Sequence, residues 1–91
     1  MGITRQYFII SGTVQGVGFR FFSLKKAEEL DVKGWVKNLP SGQVEILAEA
    51  EANTLTIFKS WIELGPVHAN VTQVDVNSLN ATNEFKTFTI R

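Results

Sequence analysis

Apolar positions along this chain form two kinds of run, one alternating every second residue and one recurring every three to four, separated by short polar or glycine-containing joins. Residues 4–13 carry Tyr7, Phe8, Ile9 and Ile10 in succession, so both alternating faces are apolar, as in a strand with a neighbour on each side. Residues 21–31 suit a helix: Leu24, Ala27 and Leu30 share one side, Lys25, Lys26, Glu28 and Glu29 fall largely on the other, and Lys25 and Glu29 are spaced to pair. Residues 32–38 read as a second strand. Leu39-Pro40-Ser41-Gly42 then marks a turn, because proline presets the backbone at its second position. The return strand, 44–50, places Val44, Ile46, Ala48 and Ala50 on one face and Glu45 and Glu49 on the other. Residues 52–64 form a second amphipathic helix, with Leu55, Phe58 and Ile62 on its stripe, widened by Ile57, Trp61 and Leu64; Gly65-Pro66 stops it. Strands are expected again at 71–79 and 84–91.

The order is β-α-β-β-α-β with a short final strand. It predicts an α+β fold, a ferredoxin-like split βαβ sandwich in which two helices cover one face of a mostly antiparallel sheet. No linker, repeat or low-complexity segment interrupts it, and 91 residues are expected to make one domain, 1–91. This fold hosts many unrelated activities and does not name one.

Composition removes several function classes. With 44% hydrophobic and 20% charged residues the chain reads as a soluble globule, and no apolar run approaches the roughly 20 residues that span a bilayer. Cysteine is absent, which excludes disulfides, thiolate nucleophiles and cysteine-held metals. The beginning of the chain has no apolar signal region, so a cytoplasmic address is expected, and the sequons at Asn70 and Asn80 are read as chance. Formal net charge is zero, against a general grip on nucleic acid, which needs a basic excess. The charge is unevenly placed, however. Arg5, Arg20, Lys25, Lys26, Lys33 and Lys37 against Glu28, Glu29 and Asp31 leave residues 1–40 at +3 and the remainder at −3.

The positive half contains the most informative segment, Gly12-Thr-Val-Gln-Gly-Val-Gly-Phe-Arg20. Glycines between a strand and a helix let successive backbone N–H groups turn around an oxyanion, the helix start adds unpaired amides and its positive dipole end, and an arginine adds planar charge. Gln15, Gly16, Val17, Gly18, Phe19 and Arg20 are therefore the candidate phosphate-binding residues. The segment is neither a Walker A loop, having no Gly-Lys-Ser/Thr, nor a dinucleotide fingerprint, having the wrong glycine spacing. His68 has no second ligand at metal spacing, and Ser23 and Ser41 have no triad partners; neither a metal site nor a serine nucleophile is assigned. Trp35 and Trp61, with Phe19, Phe22 and Phe58, are read as core or site-wall residues.

The same loop, followed by Ala27-Glu-Glu-Leu30, Gly34-Trp-Val-Lys-Asn38, Gly42-Gln-Val-Glu45 and the Trp61 to Gly65-Pro66 region, resembles the acylphosphatase family over essentially the whole chain. The resemblance implies a small phosphohydrolase, without cofactor or metal, that cleaves the phosphate–carboxyl anhydride of acyl phosphates with Arg20 and Asn38 as catalytic residues. Three positions depart from the family pattern: Thr13 stands where arginine is common, Asp31 where the helix often ends at glycine, and Leu39 where some members have threonine. The chemistry agrees with a site that has no strong acid or base. A carboxylate leaving group has a pKa of roughly 4 to 5 and departs unprotonated, so the protein's tasks are charge neutralisation, alignment and delivery of water. Asn38 does not titrate usefully, but its carboxamide oxygen can accept from water while its NH₂ donates to a phosphoryl oxygen.

Taken singly, Arg20 also fits a surface ion pair and Asn38 a turn-initiating amide. Two other functions share the fold. An RNA-recognition module would need aromatic residues on its central strands, and residues 44–50 have none. A regulatory module could use the same cradle to bind phosphate or an acyl phosphate without turnover. The expected partners are a small acyl phosphate and inorganic phosphate, with no nucleic acid and no membrane, and the chain is expected to be a monomer.

Overall fold

A computed structural model describes residues 2–91; Met1, the first residue of the expected domain, lies outside them. The elements are β1 (Ile3–Thr13), α1 (Phe19–Leu30), β2 (Lys33–Asn38), β3 (Val44–Glu51), α2 (Ala52–Leu64), β4 (Asn70–Asn80) and β5 (Phe88–Ile90). They build one five-stranded sheet in the order β4-β1-β3-β2-β5, with β5 parallel to β2 and every other pair antiparallel. The expected α+β ferredoxin-like sandwich is what forms, and β1 is interior, paired with β3 on one side and β4 on the other. No helix among the described residues is long and apolar enough to cross a membrane.

The register explains the core. Phe8 pairs with Ile46 and Ile10 with Val44, while Val36 lies opposite Ile46 from the other side, so these residues share the sheet face that the helices cover. Phe19 and Ala27 of α1 and Leu55, Phe58 and Ile62 of α2 bury against them. Phe58 meets Phe8 and Phe88 edge-on, with ring centroids 5.9 and 6.1 Å apart, a favoured aromatic geometry. Gly34 is required by backbone contact: with φ 138° it approaches β3 so closely that a Cβ would run into the Leu47 carbonyl oxygen.

The structure corrects several expectations. α1 begins at Phe19, not residue 21, because Gly18 caps it in the left-handed conformation and Phe19 is needed in the core. It ends at Leu30, where Asp31 takes φ 59° and its N–H reaches the Ala27 and Glu28 carbonyls, a conformation aspartate tolerates better than most residues. Lys26, not Lys25, pairs with Glu29 (3.3 Å), since its ammonium already lies 3.8 Å from the Trp61 ring centroid. Trp61 is thereby a partly exposed cation–π partner, and Trp35 lies between Lys37 and Arg91; neither tryptophan is core or site wall.

The largest correction concerns Glu49. The alternation put it on the face opposite Val44, Ile46, Ala48 and Ala50, where it is nonetheless only 2% exposed, and its carboxylate accepts from Arg5 Nε (2.7 Å), the Thr82 N–H (2.9 Å) and the Asn83 N–H (3.1 Å). Residues 81–87 are therefore a connection tied down by this carboxylate, and the last strand shortens from the expected 84–91 to 88–90. Burial, the largest influence, works to raise the Glu49 pKa; the Thr82 N–H, Arg5 and the Asn83 N–H together outweigh it and hold the carboxyl below its usual range.

Candidate active site

Topology brings the candidate residues together. β1 and β2 both run antiparallel to β3, hence parallel to each other, so their C-terminal ends emerge at the same end of the sheet. β5 is parallel to β2 and delivers Ile90 and Arg91 there as well. The glycine loop leaves β1 at this end and Asn38 is the last residue of β2.

Within the loop, Gly16 (φ 75°) and Gly18 (φ 79°) both adopt left-handed backbone, which a side chain would strain. Added Cβ atoms would meet no atom within 4 Å at either, so it is the conformation and not crowding that demands glycine. Among the described residues, none of the backbone N–H groups from Gln15 through Phe21 donates to a protein acceptor, and Phe22 is the first to do so, to the Gly18 carbonyl at 3.0 Å. A loop of unspent donors running into a helix start is what an oxyanion requires.

The Gln15 side chain has a separate task. Its Nε2 donates to the carbonyls of Leu39 (2.7 Å) and Gln43 (2.8 Å), bracing the loop against the β2–β3 turn that follows Asn38. The Leu39 N–H in turn donates to the Gln43 carbonyl at 2.8 Å. Leu39, one of the three positions that depart from the family pattern, thus holds the hairpin through its backbone.

Arg20 projects from the first turn of α1, and its Nη1 donates to the main-chain oxygen of Arg91 (3.3 Å). Among the described residues it makes no ion pair. A guanidinium has five N–H donors, so one bond to that oxygen orients it and leaves other donors for a ligand. Gly16, Gly18, Phe19, Arg20 and Asn38 line one cavity of about 210 Å³, completed by Val14, Phe21 and Ile90. The structure places Asn38 in one cavity with the loop, whereas Gln15 and Val17 do not line it; Val17 packs toward the core.

Phe21, Ile90 and Arg91 did not emerge from the sequence. Phe21 carries a weak signal, an aromatic residue beside the arginine, but the approach of the last strand is a tertiary fact. His68 is exposed and outside the cavity.

A family model described as Acylphosphatase matches residues 6–90. A protein named Acylphosphatase from Marinobacter nauticus is 46% identical over 88 residues, 97% of this chain and 96% of that one. Another of the same name, from Methylococcus capsulatus, is 41% identical over 94% of each chain. Among solved structures, the acylphosphatase from Bacillus subtilis superimposes with a TM-score of 0.94 at 36% identity, covering 97% of this chain and 98% of that one. An acylphosphatase from Coxiella burnetii gives 0.92 at 39% identity, over 98% and 93% of the two chains. Agreement in sequence and backbone from the first strand to the last makes this chain a member of the acylphosphatase family.

Proposed function

We propose that this protein hydrolyses acyl phosphates at the cavity between the 15–20 loop and Asn38, with Arg20 gripping the phosphoryl group and Asn38 positioning the attacking water. The carrying observation is that one cavity is lined by Gly16, Gly18, Arg20 and Asn38, next to a loop whose amides have no protein acceptor among the described residues. Phosphoryl oxygens accept from those amides and from the unused guanidinium N–H groups, so the negative charge is met by fixed donors that need no reorganisation.

The water oxygen forms a bond to phosphorus in line with the bridging oxygen. The bond from phosphorus to that oxygen breaks, and the carboxylate leaves with the electron pair. Both protons of the water end on the phosphoryl group, giving carboxylate and dihydrogen phosphate, which then equilibrates with solvent. No general acid is required, because the leaving carboxylate is already a weak base. Asn38 accepts one water hydrogen on its carboxamide oxygen and donates from its NH₂ to a phosphoryl oxygen, which sets distance and angle without a proton of its own.

The test is turnover of acetyl and benzoyl phosphate in EDTA by the parent protein, with folded Arg20→Ala and Asn38→Ala controls. Turnover by the parent and its loss in both variants supports the assignment. Phosphate binding without turnover by the parent would favour a sensing module, and a requirement for added divalent metal would overturn the metal-free step.

A further inference from the structure

We infer that the outer edge of β4 is a self-association surface, on which a second copy of this chain adds its own β4 antiparallel about a two-fold axis at Val76. The inference is independent of the hydrolase reading and departs from the monomer expected of the sequence.

The two edges of the sheet are unlike. β5 is three residues long, with Lys86 before it and Arg91 after it, a short and charged edge of the kind that resists pairing. β4 runs for 11 residues and contains no proline, no lysine or arginine, and one charge, Asp75. Among the described residues, no main-chain hydrogen bond outside the sheet reaches residues 71–80, so the N–H and C=O groups that β4 turns away from β1 have no main-chain partner. Beside this edge a cavity of about 220 Å³ opens between Glu63 of α2 and residues 71–74.

The side chains decide what fits there. Val74 and Val76 pair with Ile10 and Phe8 on the helix-covered face, where both are partly buried against the core; Asp75 and Asn77 pair with Ile9 and Tyr7 on the opposite face. Directly opposed residues of an antiparallel pair share a face, so a two-fold axis must pass through the level of one residue. An axis at Asp75 would set two carboxylates against each other. One at Val74 would run the contact through residues 71–73, where the pairing with β1 shifts register between Ser11 and Gly12. At Val76 the contact uses the regular stretch 73–79. Val76 then meets the partner's Val76, which extends the apolar face across the seam, and each Asp75 carboxylate meets the partner's Asn77 amide, a donor for it. A foreign strand would find one charge on this edge to read, whereas a second copy supplies the complement to that charge on both sides of the axis. The contact is small, so a weak dimer is expected.

The experiment is sedimentation equilibrium of the parent, Asn77→Asp, Asn77→Lys and Leu64→Glu from micromolar to near-millimolar concentration, with circular dichroism to verify folding. The parent should pass from 10.2 kDa to twice that mass as concentration rises. Asn77→Asp sets like charges across the seam twice and should weaken the dimer roughly ten-fold, while Asn77→Lys sets opposite charges there and should tighten it about three-fold. Asn77 is exposed, so both substitutions spare the core. A second measurement reads the register. The chain has no cysteine, so any disulfide in Val76→Cys joins two chains; mild oxidation should link that variant faster than Leu64→Cys, although Leu64 is the more exposed position. Monomer mass at every concentration, a change in the same direction in both Asn77 variants, or growth beyond two copies would each overturn the proposal. So would faster linking of Leu64→Cys or loss of the dimer in Leu64→Glu, which would place the contact on α2 instead.

Discussion

Two arginines lie at opposite ends of the sheet, and their surroundings differ in kind. Arg5 is enclosed by acceptors: Nε donates to Glu49 at 2.7 Å, Nη2 to Glu84 at 3.0 Å and to Thr82 Oγ1, and its guanidinium carbon lies 5.3 Å from the Phe85 ring centroid. Arg20 has one main-chain oxygen, no ion pair with an Asp or Glu side chain among the described residues, and a neighbouring loop of unspent amides. The guanidinium that holds the fold is met by the side-chain carboxylates of Glu49 and Glu84, whereas the one proposed to meet a ligand is oriented by a single main-chain oxygen. The difference teaches how to separate a structural arginine from a candidate ligand-binding one: count side-chain carboxylates and free amides around each.

Arg20→Ala should break the comparison most severely. The expectation is a fall in kcat/KM of about 10³-fold or more, equivalent to roughly 4 kcal/mol, with phosphate inhibition lost and urea unfolding little changed. Retained activity would show the loop amides to suffice. The mirror experiment at the other end is Glu49→Ala. It leaves Arg5 and the Thr82 and Asn83 amides without their acceptor, so unfolding free energy should drop by about 3 kcal/mol in urea titration while kcat/KM per folded molecule changes far less. Asn38→Ala should lower kcat about 10²-fold, near 2.7 kcal/mol, yet leave most of the inorganic-phosphate affinity, because water placement matters more in the transition state than in the ground state. Equal loss of phosphate affinity in Arg20→Ala and Asn38→Ala would refute that division of labour.

Smaller effects sharpen the contrast through pH. The folded Glu49 carboxyl titrates below its unfolded value, so the unfolded chain binds more protons in the acid range and the stabilisation is lost as pH falls. It should be complete above about pH 5 and shrink toward the lowered folded pKa, so the stability gap between the parent and Glu49→Gln narrows on acidification. Tyr7 shows the opposite sign. Its hydroxyl donates to Glu45, and that hydrogen bond, followed by burial and the carboxylate charge, raises the phenol to about 12. A raised folded pKa gives stability that is full below about pH 10 and lost as pH rises toward 12. Tyr7 is the sole tyrosine, so phenolate absorbance reads it directly, and Glu45→Gln should return its titration toward the ordinary range.

The helices and most strands were legible because they are local. Alternation at 44–50 and the i, i+3, i+7 spacing of Leu55, Phe58 and Ile62 report one face of one element, and the structure keeps those elements within a residue or two of their expected ends. Glu49 shows where such reasoning stops. Alternation states which face a side chain takes, and Glu49 does take the face away from the helices, but it cannot state that residues 81–87 return to cover that face. The same limit hid Lys26, whose choice of Glu29 depends on a ring in the other helix.

The candidate site divides in the same way. The glycines, Arg20 and Asn38 were visible as residue types, since left-handed backbone and phosphate geometry each admit few side chains. Gln15 was visible only in part: its backbone belongs to the loop, but its carboxamide braces the neighbouring hairpin through two carbonyls.

By itself, then, the sequence determined the order of elements, the unstrained loop conformation and the two polar groups with chemistry to offer, because these depend on periodicity and on what single residues can do. Tertiary structure alone decided which arginine is free, where Phe21 and Ile90 stand, and that the ends of three strands meet at one cavity. Those are relations between residues up to 79 positions apart, such as Arg5 and Glu84, and distance along the chain carries no information about them until the sheet has closed.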